Sequence, residues 1–177
     1  NGRSLPWARL GVARAHAGLN QLEQARTDLT ELLADAPEFL AAYDFLAQLH
    51  DRCHNDEDAK AVLQMAIEVS PNIIRRHKAV GDIALRLHDL ETAETALSTV
   101  VRKSRHAFVR EPDDHLKLSR IYMEREKFAQ ALDTLADAKK TFHGSMAVKA
   151  SACAVETLTH SKAQNPREAR RTLDEAL

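Results

Sequence analysis

The stretch QARTDLTELLADAP, residues 24–37, returns 34 residues later as DAKAVLQMAIEVSP, residues 58–71. Few letters are shared, but the pattern is the same: Ala25 is matched by Ala59, Leu29 by Leu63, Leu32 by Ala66 and Pro37 by Pro71. A third copy puts Ala93, Leu97 and Val100 at these stations. Ala131, Leu135 and Ala138 follow, then Ala169, Leu173 and Ala176. A small residue followed at i+4 and i+7 by apolar ones is the buried stripe of a helix. A 34-residue period in such stripes marks stacked helical hairpins, none of which can bury its own apolar face alone.

Each period must then contain a second helix upstream of the one just read. Tyr43, Leu46, Ala47 and His50 form its stripe, and His77, Val80, Gly81 and Ala84 repeat it one period later. His115, Leu118, Ser119 and Tyr122 fit a fourth hairpin. Trp7, Leu10 and Gly11, with Arg14, fit the first. In this alignment Gly11, Ala47, Gly81 and Ser119 are small together, as two closely approaching helix backbones require. The alignment gives the first turn two extra residues around Gly18-Leu19-Asn20. Between Ala93 and Ala131 the spacing is 38, which adds four residues to the segment 103–112. Asn20, Asn55, Asp89 and Asn165 precede second helices as cap candidates, Pro37 and Pro71 follow such helices, and Pro166 suits a helix start. The expected fold is all-α: a right-handed α-solenoid of about five hairpins, at about 5–35, 38–69, 72–103, 112–141 and 145–177, with 1–4 as a linker and the last hairpin cut short. Ten helices are expected, at about 5–18, 22–35, 38–52, 56–69, 72–87, 90–103, 112–125, 128–141, 145–162 and 166–177.

Composition agrees with helix and argues against several functions. The 177 residues are 44% hydrophobic but only 5% aromatic, with five Gly and five Pro. A net charge of −1 gives no general attraction for nucleic acid or an anionic membrane, and the basic patches lack the interleaved aromatics on which bases stack. No apolar run is long enough to span a bilayer. Cys53 and Cys153 suggest no disulfide framework, so a reducing cytoplasm is expected. No phosphate-cradling glycine loop or nucleophile elbow is present, and neither an enzymatic activity nor a cofactor is expected. His50, Cys53 and His54 form the only metal-like cluster. Because His50 takes a buried-stripe station and no third ligand is fixed by spacing, these residues read as structural and no metal is assigned.

The residues left for function lie on the first helices, one face around from the stripe, where stacking is expected to line a concave groove. Asp44, Gln48 and Asp51 take this face in the second hairpin. Lys78 and Asp82, with Arg75 and Arg86 beside them, take it in the third, and Arg120 takes it in the fourth. Charge is segregated along the chain: residues 21–70 hold three Lys or Arg against eleven Asp or Glu, whereas 72–110 hold eight against four. Such a bipolar surface orients a partner of matching pattern. Arg105, Phe108, Val109 and Arg110, in the added segment, form a candidate docking loop.

These stations resemble the tetratricopeptide repeat (TPR) family over residues 5–177, which implies a protein or peptide partner held in the groove. Departures are Arg14 for an aromatic, His77 at a bulky station, and Arg105 and His143 where a closing proline is usual. The segments 5–11, 39–44 and 105–116 look like the TPR output half of bacterial response regulators, in which a phosphorylatable receiver domain comes first. That resemblance implies a cytoplasmic two-component effector whose receiver would precede Asn1. Other readings are a stand-alone adaptor or chaperone-like module, or a domain that dimerises its parent through the C-terminal hairpin.

Overall fold

The structure, a computed structural model, describes residues 5–105 and 111–176. Ten helices follow one another: α1 Pro6–Gly18, α2 Leu22–Asp35, α3 Leu40–Arg52, α4 Asp56–Val69, α5 Ile74–Arg86, α6 Leu90–Ser104, α7 Pro112–Glu124, α8 Phe128–Thr141, α9 Met146–Lys162 and α10 Pro166–Ala176. Among the described residues there is no strand. The chain divides into two compact units, 1–87 and 88–177, the division falling in the turn between α5 and α6.

In unit 1, α1 pairs with α2 and α3 with α4, and α5 lies against α4. Leu10, Ala13, Ala17, Ala25, Leu29 and Leu32 of the first hairpin form one cluster with Ala42, Leu46 and Leu49 of α3. In unit 2, α7 pairs with α8 and α9 with α10, while α6 packs on α7 and α9 on α8. Ala152 and Val155 of α9 meet Leu135 of α8 there, with Leu116 of α7 against them. Each of α3, α5, α7 and α9 therefore seats one side on a helix of the hairpin before it.

The second-helix stripe falls where its period puts it. Ala25, Ala59, Ala93 and Ala131 are all fully buried, as are Leu29, Leu97 and Leu135. Leu63 is nearly so. The fifth copy differs: Leu173 is 50% exposed, and the side chain of Ala176 lies outside the described residues.

The turns correct the reading of the first hairpin. Asn20, His54 and His88 all have positive φ, at 62°, 57° and 57°, as do Glu126 and Gln164 at 60° and 57°. Each is the left-handed residue that ends a first helix. In four of these turns the next N–H bonds back across the last helical turn: Gln21 to His16 at 2.9 Å, Asn55 to His50 at 2.9 Å, Lys127 to Tyr122 at 2.8 Å and Asn165 to His160 at 2.9 Å. The first three left-handed residues stand 34 apart, so the first turn holds no two-residue insertion. In the 34-residue frame the small station of α1 is Ala13, fully buried, and not Gly11, whose missing Cβ would meet nothing within 4 Å. Trp7 is likewise not part of a buried stripe: it is 66% exposed and touches Phe39 edge-on at 4.9 Å. Arg14 is no substitute for a core aromatic, because it lies over the Phe45 ring at 5.5 Å.

The cap expectations divide. Asp89 accepts a hydrogen bond from the Thr92 N–H at 3.1 Å. Asn55 holds the cap position of α4 without a side-chain bond, and Asn20 serves as the left-handed turn residue instead. From Glu126 to Gln164 the spacing is again 38. Here the four added residues lengthen α9 to 17 residues against 13 in α7, with Ser145 Oγ accepting from the Val148 N–H at 3.3 Å to cap it.

Candidate functional site

Unit 1 contains a hollow of about 300 Å³ between α3 and α5, floored by Leu63 of α4. Its helices owe their positions to the repeat: Ala47 and Gly81 are buried at the small station, which lets the backbones draw together. Ala47, Leu63, Ala79 and Ile83 supply apolar walls. Asp44, Gln48 and Asp51 come from α3, and Arg75, Arg76, Asp82 and Arg86 from α5.

Six of the eight groove residues expected from sequence therefore gather here: Asp44, Gln48, Asp51, Arg75, Asp82 and Arg86. Lys78 is on α5 but does not line the hollow, and Arg120 is exposed on α7 in unit 2. Phe108, Val109 and Arg110 of the expected docking loop lie outside the described residues. Arg105 is exposed, with its guanidinium 3.8 Å from Asp137.

The opposite charges that divide the sequence meet inside unit 1. Arg76 is 4% exposed and grips Asp44 with two parallel bonds, Nε to Oδ1 at 2.7 Å and Nη2 to Oδ2 at 3.0 Å. Its Nη1 is buried without a hydrogen-bond partner. Arg75 stands at 3.6 Å from the same carboxylate, with its side chain 82% exposed. Arg86 donates to Asp56 at 2.9 and 2.6 Å and to Asp51 at 2.6 Å. These bonds, that to Asp56 foremost, hold the guanidinium well above its ordinary pKa, and the Asp56 carboxyl below its own. Paired fork-to-carboxylate geometry gives these contacts direction as well as strength. One consequence is that Arg86 braces α5 against α3 and α4, so it is not simply a free cation awaiting an anion.

Arg76 escaped notice in the sequence although a signal existed. It stands 34 residues after Ala42, a fully buried station that is small in the second hairpin, and a charge there demands a partner. Asp114, buried at the same station of α7, carries the same signal.

Two histidines sit in the packed stripes. His50 is buried, with Nδ1 3.6 Å from Asp58, and burial lowers its pKa against the pull of that carboxylate. His115 is more enclosed: burial again lowers its pKa, Nε2 lies 3.6 Å from Asp137, and the ring packs edge-on against Phe142 at 5.5 Å. Among the described residues no three His, Cys, Asp or Glu side chains gather where they could hold a metal ion. His54 belongs to the left-handed turn.

No protein-family model matches the chain, and no curated protein matches it in sequence. Solved structures do. YrrB, described as a TPR protein with an unusual peptide-binding site, has a TM-score of 0.73 at 17% identity, covering 95% of this chain and 82% of that one. MamA has a TM-score of 0.72 at 13% identity, covering 97% and 90%. A tetratricopeptide repeat protein from Parabacteroides merdae has 0.70 at 12%, covering 97% of this chain and 65% of that one. The fold is that of the tetratricopeptide repeat. At these identities the likeness fixes the TPR architecture, and the site must be read from the residues of this chain. No described helix is long and apolar enough to cross a membrane.

Proposed function

We propose that this TPR chain is a protein-interaction scaffold without catalytic activity, and that the hollow between α3 and α5 holds an extended peptide segment of its partner. The observation that carries this reading is the hollow itself: apolar walls of Ala47, Leu63, Ala79 and Ile83 beneath a rim of alternating acids and arginines. About 300 Å³ is at the lower end of ligand sites and suits one or two apolar side chains better than a cofactor. Gln48 and Arg75, both exposed where they line the hollow, supply polar groups that can bond a peptide backbone. That YrrB is a TPR protein with a peptide-binding site supports the same reading.

Ala79→Trp, which fills the hollow from one wall, tests it. A partner captured by the unaltered chain is lost from the variant while the helical circular dichroism stays the same. Equal capture by both chains removes the hollow from the binding surface. The resemblance of segments 5–11, 39–44 and 105–116 to response-regulator output domains supports a finer reading, in which a receiver upstream governs this binding in the cytoplasm. A parent protein lacking a receiver before Asn1 ends that version and leaves a stand-alone adaptor.

A further inference from the structure

We infer that unit 1 holds a second binding site whose ligand is a primary alkylammonium group, either a lysine side chain of a partner protein or a free amine. The site lies on α2, α3 and α4, has a volume of about 400 Å³ and shares no lining residue with the hollow between α3 and α5. The repeat shows what is unusual there. His16 and His50 take the same station, four residues before the left-handed turn residues Asn20 and His54. His16 Nδ1 is satisfied by Asp28 of its own second helix at 2.6 Å. In the next hairpin the place of Asp28 is taken by Val62. His50, 7% exposed, therefore keeps a buried Nδ1 without a hydrogen-bond partner. Leaving such an atom unmet is costly, and a ligand that supplies the missing partner removes the penalty.

The surrounding groups select a cation with several donors. Glu31 and Asp58 line the site, and Asp58 Oδ2 is 3.6 Å from His50 Nδ1. Glu23 lines it too, but Arg26 donates to that carboxylate at 3.1 Å, which leaves the other acids in excess. Thr27 and Thr30 give their hydroxyl protons to the carbonyls of Glu23 and Arg26, so their oxygens remain acceptors. Burial lowers the pKa of His50 and keeps the imidazole neutral; with its proton on Nε2, Nδ1 is an acceptor as well. An ammonium brings three donors on a slim stem to a buried nitrogen beside carboxylates, whereas a guanidinium is a broad planar fork. A bare metal ion fits less well, since among the described residues no three His, Cys, Asp or Glu side chains gather where they could hold one. The Asp58 side chain, 63% exposed, has room to turn toward the incoming charge. The excess of acids over residues 21–70 draws cations toward these helices.

Nuclear magnetic resonance of the 177-residue chain tests this, with butylamine and the peptide acetyl-Gly-Lys-Gly-amide as probes at constant ionic strength. At least one probe shifts the His50 ring and the Asp58 amide to saturation, and the peptide with norleucine in place of lysine does not. Tighter binding of the peptide identifies a partner's lysine as the source, and equal or tighter binding of butylamine identifies a free amine. His50→Phe, followed at the Asp58 amide, weakens binding by about tenfold, the worth of a hydrogen bond to a charged group. Asp58→Asn, at an exposed position, weakens it by about threefold. Val62→Asp rebuilds at His50 the pair that His16 makes with Asp28, and it weakens binding although it adds a negative charge. The inference is overturned if neither probe moves the ring to saturation, or if the norleucine peptide binds equally. Unchanged binding by His50→Phe, or unchanged or tighter binding by Val62→Asp, overturns it as well, since general attraction between acids and cations would then suffice.

Discussion

The second and fifth hairpins share a backbone plan and differ in what they display. Their left-handed turn residues, His54 and Gln164, are 110 positions apart, so Asp44, Gln48 and Asp51 of α3 correspond to Ala154, Leu158 and Ser161 of α9. In α3 these stations are polar, and the two carboxylates are held by Arg76 and Arg86 from the next first helix. In α9 they are uncharged and exposed. The comparison teaches that the repeat dictates only the apolar stripe. A first helix that receives a successor can carry acids on its far side, because the successor brings arginines to meet them. In α9, which has no successor among the described residues, the same stations carry an alanine, a leucine and a serine and no charge to be met.

The largest way to break this contrast is Arg76→Leu. It leaves the half-buried Asp44 with only Arg75 at 3.6 Å in place of its bidentate partner and costs about 3 kcal/mol in urea unfolding. The double variant with Asp44→Leu recovers more than half, and full additivity would show that the pair is not coupled. Next comes crowding of the second-helix stripe. Ala59→Leu overpacks a fully buried site and costs about 2 kcal/mol, whereas Ala169→Leu, in the partly open fifth hairpin, changes little. Equal losses would erase the distinction between the two hairpins.

The acid response comes third. The pKa of His115 is lowered in the folded chain by burial, so the unfolded chain binds more protons below the ordinary value of 6.5. Stability is full above that value and declines as pH falls from it toward the folded pKa. His115→Phe, measured by thermal unfolding across this range, flattens the decline. The smallest effect is at the turns. Glu126→Gly relieves a left-handed non-glycine residue and raises stability by about 0.5 kcal/mol after the unfolded-state entropy is counted, while Asn20→Gly gains less, because asparagine tolerates that conformation.

Much of the architecture was legible because apolar spacing constrains it heavily. The bounds of α2, α4 and α8 coincide with those read from the sequence, each being fixed by a stripe in which any shift would expose leucines. The register of α1 was not legible: Ala8, Gly11, Ala13, Ala15 and Ala17 allow two frames, and only the position of its turn chooses between them. The left-handed residues were hidden for a related reason. Glycine is the usual signal for that conformation, and asparagine, histidine, glutamate and glutamine occupy it here. The rim of the hollow was read from helix geometry, but its pairing was not. Which carboxylate an arginine meets depends on the approach of separate helices, and Arg76 at an alanine station was the one local sign of it.

The longer α9 shows what kind of length change such a chain can absorb. Four added residues advance a helix by about 400°, a little more than one revolution, and so return nearly the same side to the neighbours. Two added residues would advance it by about 200° and present solvent-loving side chains to the interior. Insertions and deletions within these helices should accordingly survive in steps of whole revolutions, whereas irregular lengths belong in the connections.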